Sequence, residues 1–162
     1  MLEWLERNRD YGLLLVPLFA FAEACIGIGL LVSGALLVLV STVLLGAEIA
    51  TLLQIVALAF AGAVAGDHVG YLVGRWMGPG IHQTRFAARY RESLTRAEQM
   101  IRRRGAWAIF IGRFIPAIRS ILPPMLGISG FPLARFSLMD VMACMLWSLA
   151  LALILIGTTA VF

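Results

Sequence analysis

Between Phe110 and Gly127 two arginines, Arg113 and Arg119, stand six residues apart in a run that carries no other charge. The same run holds Pro116, Pro123 and Pro124 together with Gly112 and Gly127. Proline removes a backbone donor and clashes with the preceding turn, so a straight helix is not expected here. In lipid nothing replaces the lost hydrogen bonds, and broken backbone survives at membrane depth only inside protein or beside a water-filled cavity. An arginine near the bilayer centre costs roughly 2.5–3.5 kcal/mol on insertion scales and marks a substrate or ion pathway. The competing reading is that both arginines only snorkel to an interface.

That the run lies in a membrane at all follows from composition. The chain of 162 residues is 61% hydrophobic and 14% charged, with a mean hydropathy of +0.93. A soluble core of one domain does not require so much apolar sequence, whereas a bilayer does. All 13 basic residues are arginine, and eight of them fall in residues 75–104 against Glu92 and Glu98. This block lies between apolar segments and carries no base-reading motif. The positive-inside rule therefore accounts for it, not nucleic acid, and residues 75–104 are expected on the cytoplasmic side. Cys25 and Cys144 lack metal-ligand spacing and read as packed thiols.

Residues 1–10 are polar, with Trp4 as an interfacial anchor. Residues 11–47 carry one charge, Glu23, and are interrupted by Gly27, Gly29 and Gly34. They form either two spanning helices or a re-entrant hairpin, and the Gly27–Gly34 break favours the hairpin. Residues 49–78 form a transmembrane helix with Gly62, Gly66, Gly70, Gly74 and Gly78 at every fourth position. Such a stripe lets another helix approach closely. Asp67, Tyr71 and Arg75 share a neighbouring face, so Asp67 could accept hydrogen bonds from both of the others. His68 and His82 are read as non-ligands.

In residues 84–104, Phe86, Tyr90, Leu94, Ala97 and Ile101 lie on one helical face and arginines fill the rest. This predicts an amphipathic helix on the anionic cytoplasmic leaflet, with a capping box at Thr95 and Glu98 and a C-cap at Gly105. Residues 106–130 form a second broken segment and residues 136–161 the last transmembrane helix, interrupted only by Asp140. Each half is thus a broken apolar segment followed by a long helix, in inverted topology. Paired broken segments point to a transporter's midplane site, where Glu23 should come within water-bridged reach of Arg113 or Arg119. The fold class expected is an all-α integral membrane protein with two re-entrant hairpins in inverted repeat.

These residues resemble the DedA family, the bacterial VTT-domain membrane proteins. The resemblance rests on Glu23, on Gly66-Asp67 with Tyr71, Gly74-Arg75 and Gly78, and above all on Gly112-Arg113-Phe114-x-Pro116-x-x-Arg119-x-x-x-Pro123-x-x-x-Gly127, then Phe136 and Trp147. It implies two hairpins meeting from opposite faces in a bacterial inner membrane and a lipid-transport role, with undecaprenyl phosphate or a phospholipid as substrate. Glu23, Arg113 and Arg119 match functional positions of the family, with Asp67 beside them and Tyr71, Arg75, Pro116, Pro123 and Gly127 in support. There are departures: the hairpin segment Val32-Ser33-Gly34-Ala35 lacks a second acid, Asp140 stands where asparagine is common, and Leu126 where alanine is common. A divergent or truncated member is implied.

Four functions fit such a chain. A lipid translocase would use the arginines to grip phosphate, since guanidinium matches its geometry bidentately. A proton- or ion-coupled solute transporter could use the same charges, and a structural or assembly protein would use them only to join the hairpins. A lipid-phosphate enzyme needs a nucleophile or a metal cluster, and the sequence offers neither paired carboxylates nor a His/Asp set. The expected partners are membrane lipids and protons, without nucleic acid, cofactor or metal; homo-oligomerisation stays open.

Overall fold

The computed structural model describes residues 9–25, 34–78, 89 and 91–161. Within them the chain is helical: α1 Arg9–Ala24, α2 Gly34–Gly46, α3 Leu52–Met77, α4 Arg91–Arg104, a 3-10 turn Gly105–Trp107, then α5 Ala108–Arg113, α6 Pro116–Arg119, α7 Leu122–Ile128 and α8 Leu133–Val161. Trp4, Gly27, Gly29, His82, Phe86 and Tyr90 lie outside the described residues.

Two helices are long and apolar enough to cross a bilayer, at Leu52–Met77 and Leu133–Thr158. At 1.5 Å per residue each reaches roughly 39 Å, beyond the ~30 Å hydrocarbon core. α3 opens with a reciprocal cap in which Thr51 accepts from the Gln54 amide and the Gln54 side chain accepts from the Thr51 amide. It ends at Gly78, whose φ of +56° suits a residue without Cβ. The apolar stretches of α1 and α2, Tyr11–Ala24 and Gly34–Gly46, are shorter than a span, and α2 packs back against α1.

The apolar residues sort into two cores. One joins Val16 and Ala20 of α1, Leu37 and Leu44 of α2, Ile55 and Ala59 of α3, and Leu151 and Leu155 of α8. The other joins Tyr71 of α3, Leu94 and Ala97 of α4, the α5–α7 segment, and Phe136 and Ala143 of α8. α3 enters the first core with its N-terminal half and the second with its C-terminal half, and α8 does the reverse. The two long helices therefore run antiparallel, each crossing both cores.

The glycine stripe of α3 is the seam onto which both broken segments close. A Cβ on Gly66 would come 2.6 Å from that of Ala24 and 2.8 Å from the Phe21 carbonyl, and one on Gly62 would strike the Pro17 backbone. One on Gly74 would strike the backbone of Pro124 in α7. The approach is reciprocal, because a Cβ on Gly127 would overlap the Tyr71 carbonyl and the Arg75 amide.

α4 differs from expectation in two ways. Its apolar face does not stay free for lipid: Leu94 and Ala97 are buried in the second core, with Met100 and Ile101 packed against it. The arginines at 91, 96 and 102–104 remain exposed. An apolar stripe of period 3.6 reads identically whether lipid or protein covers it, and here the α5–α7 segment does. Nor does Thr95 cap a helix start, since its hydroxyl donates to the Arg91 carbonyl within the helix. The Glu92–Arg96 pair forms as the i,i+4 spacing predicts, and Gly105 takes the positive φ of a helix end.

Candidate functional site

Between the two cores lies a layer of buried charge, built by breaks in the helices. α5 ends at Arg113; Phe114 follows and Ile115 turns extended, with φ −104° and ψ 106°. Pro116 then opens α6 at a position where a missing N–H costs nothing, and α6 ends at Arg119. Pro123 and Pro124 occupy the first turn of α7 for the same reason. The prolines thus place both arginines at the C-terminal ends of consecutive short helices. Glu23 arrives from the last turn of α1, Asp67 from the middle of α3, and Asp140 from α8.

These side chains pair across the fold. Arg119 forms a salt bridge with Glu23 and also donates to the Glu23 carbonyl at 3.3 Å. Arg113 forms a salt bridge with Asp67 and stands 3.6 Å from Asp140 Oδ1. Its guanidinium lies 5.4 Å from the Trp147 ring centre, a distance for cation–π attraction. The side chains of Glu23 and Asp67 are each 3% exposed, Arg113 9% and Arg119 16%. Isolated charges at this depth would be far costlier than paired ones.

Two small cavities of about 10 Å³ each touch this layer, one between Glu23, Asp67, Arg113, Arg119 and Trp147, the other beside Asp140. Each has room for about one water. Three buried polar atoms along the layer have no hydrogen-bond partner among the described residues: Glu23 Oε2, Arg113 Nε and Asp140 Oδ2. Buried polar atoms in this state call for water or a ligand. Gly34 is held open for the same site, because a Cβ there would sit 2.5 Å from Glu23 Oε1. Ala35, one residue on, is exposed.

Of the residues singled out from the sequence, Glu23, Asp67, Arg113 and Arg119 come together in this layer. Tyr71 and Arg75 do not join Asp67 as their spacing suggested. The Tyr71 hydroxyl donates to the Phe131 carbonyl, Arg75 Nη1 donates to Tyr71 Oη at 3.2 Å, and the Tyr71 ring stacks on Phe136 at 4.5 Å. They tie the exit of the second broken segment to α3, while Asp67 is taken by Arg113. Pro116 and Pro123 act through the breaks, and Gly127 through its contact with α3.

The sequence reading missed Asp140, His68, Ser137 and Cys144 as neighbours of the site. Cys144 Sγ lies 3.8 Å from Asp67 Oδ2, and the ligand-type atoms of Asp67, Asp140 and Cys144 lie within 4.8 Å of one another. The cation facing them is the Arg113 guanidinium. The available signal was Asp140 itself, since an acid inside a transmembrane helix is a functional candidate by default.

Two long apolar helices flanking a paired-charge layer between shorter broken ones are the construction expected of a membrane protein with a polar centre, and the chain's relatives bear out that class. The VTT domain model matches residues 11–157. An uncharacterized membrane protein of Synechocystis sp. is 32% identical over 150 residues, which cover 91% of this chain and 66% of the relative. Inner membrane protein YabI of Escherichia coli is 25% identical over 89% of the chain and 57% of its own length. Inner membrane protein YqjA of the same organism is 34% identical over 67% of the chain and 51% of its own. No solved structure matches the chain at a significant level. The chain belongs to the VTT-domain (DedA) family and is an inner-membrane protein. It spans about half to two thirds of the length of these relatives.

Proposed function

We propose that the chain carries a phosphate-bearing lipid, a polyprenyl phosphate such as undecaprenyl phosphate or a phospholipid, between membrane leaflets. The observation that supports this best is the pairing of two largely buried arginines with two buried acids where the broken segments meet on α3. Here α1–α2 and α5–α7 act as re-entrant hairpins entering from opposite faces. An entering phosphate competes with Glu23 for Arg119 and with Asp67 for Arg113, and bidentate guanidinium geometry favours phosphate once it arrives. The lipid tail stays in the bilayer, so the site needs room for a headgroup only. Cavities of one-water size describe the site closed, with the acids standing where the phosphate would go.

The test is Arg119→Lys and Arg113→Lys in protein reconstituted into liposomes, read by headgroup accessibility. Lysine keeps the charge and loses the planar fork. Both variants are expected to insert normally and to move phosphate-bearing lipid poorly. Parental rates in both would end the phosphate-clamp reading and leave the arginines as a structural joint.

A further inference from the structure

The charge layer holds more acid than its arginine neutralises on the α8 side. Asp67 and Asp140 are 2% and 1% exposed, and both face the single guanidinium of Arg113. Asp67 has the salt bridge; Asp140 has an oxygen at 3.6 Å and a second, Oδ2, with no hydrogen bond among the described residues. Two buried carboxylates around one cation leave one negative charge over, and a proton is the smallest way to remove it.

His68 supplies a place for that proton and a route to it. Its Nδ1 lies 3.4 Å from Asp140 Oδ2 and 2.9 Å from the Val64 carbonyl, and its Nε2 lies 2.9 Å from Ser137 Oγ. The His68 side chain is 27% exposed and meets Ser137 in the first turns of α8, at the end of that helix, whereas Asp140 lies further along it and is sealed. A carbonyl only accepts, so Nδ1 carries a hydrogen in the resting ring, and Nε2 accepts from the Ser137 hydroxyl. Protonation at Nε2 gives an imidazolium whose Nδ1–H faces both Val64 O and Asp140 Oδ2. Passing the Nδ1 proton to Oδ2 leaves a neutral ring with hydrogen on Nε2, donating to Ser137, and a neutral Asp140.

We propose that Asp140 and His68 form a proton-binding site beside Arg113, with His68 as the port through which the proton enters and leaves. The groups facing Asp140 are Asp67 and His68 from α3, Arg113 from α5, Cys144 one turn along its own helix, and Arg119, which shares its cavity. None of the other groups removes the surplus charge: Arg113 serves Asp67 and Arg119 serves Glu23. The site stands or falls without the transport reading. If an anion does take Arg113, the stored proton lies beside the acid left behind, since carboxylate oxygens of Asp67 and Asp140 are within 4.8 Å of each other.

With only two histidines in the chain, His82→Gln leaves a single imidazole to observe. In full-length protein in lipid at neutral pH, nitrogen NMR of that ring and the infrared carboxylic-acid band together locate the proton. The expected result is a doubly protonated His68 or a buried carboxylic-acid band, with the signal lost in Asp140→Asn, a near-isosteric change. In Ser137→Ala or His68→Gln, deuterium exchange of the site is expected to slow. A neutral His68 with a carboxylic-acid band unchanged by Asp140→Asn would overturn the site. Unchanged exchange in His68→Gln would overturn His68 as its port.

Discussion

Neutralising Glu23 tests the joint between the two broken segments most directly. In Glu23→Gln the Arg119 guanidinium keeps only neutral acceptors, the residue-23 main-chain oxygen at 3.3 Å and the new amide oxygen, and its charge loses its salt-bridge partner among the described residues. Breaking a buried pair by removing one partner costs roughly 3–5 kcal/mol. Arg119 is 16% exposed, so the low end, about 3 kcal/mol, is the expected loss. Arg119→Met strands Glu23 in the same way, and its Oε2 already lacks a partner. The double variant removes both charges and should cost far less than the sum, leaving a coupling of about 2–3 kcal/mol in a double-mutant cycle. Reversible unfolding in mixed micelles, or steric trapping in bilayers, measures all four corners. Additivity within about 0.5 kcal/mol would show that the two side chains do not hold each other and would refute the site as described.

Gly74→Ala forces a methyl against the Pro124 backbone, whose Cα and C would lie 2.6 and 2.7 Å away. A loss of about 1–3 kcal/mol is expected, whereas Gly46→Ala, with nothing within 4 Å, should stay within about 0.5 kcal/mol. Ala97→Leu in α4 should destabilise by a similar ~1–3 kcal/mol, because Ala97 is fully buried against the α5–α7 segment. Exposed Arg103→Ala should be neutral by the same unfolding measurement; equal costs for the two would mean that α4 does not pack on the protein.

What the sequence revealed depended on whether the cause was local. The break after Arg113 is written into Pro116, which fixes where one short helix stops and the next begins. The seam on α3 is written into a four-residue glycine period, and its partners Pro17, Ala24 and Pro124 confirm why small residues are needed. Asp67 shows the opposite case. Its local neighbours at i+4 and i+8 offered donors, but the winning partner is Arg113, 46 residues away, and no spacing rule encodes that choice. The α4 face failed for a different reason. Leu94 and Ala97 mark an apolar stripe, and only tertiary packing decides whether lipid or protein covers it. His68 was dismissed because it lacked a second ligand of its own kind. Its partners, Ser137 and Asp140, come from α8 about 70 residues on.

The position of the charge layer follows from the two-core construction. α1, α5 and α6 all end at the same level, between a core formed by Val16, Leu44, Ile55 and Leu155 and one formed by Tyr71, Ile121, Leu126 and Phe136. Helix ends leave carbonyls without partners, so this level is where polar side chains are least costly and where water can be held. The arginines there are closed off by Glu23 and Asp67, and the closed layer presents no free positive charge to passing anions. Were opening one pair to cost as much as breaking it by mutation, roughly 3–5 kcal/mol, about one molecule in a hundred to one in several thousand would be open at rest, since each 1.4 kcal/mol is tenfold. A lipid phosphate that supplies the missing counter-charge removes most of that cost, whereas a neutral headgroup does not. The layer should therefore discriminate by headgroup charge, not by tail. In the liposome assay, phosphate-bearing lipids of different tail length should move at similar rates and a neutral-headgroup lipid far more slowly. Equal rates for charged and neutral headgroups would mean that the Glu23–Arg119 and Asp67–Arg113 pairs never open to cargo.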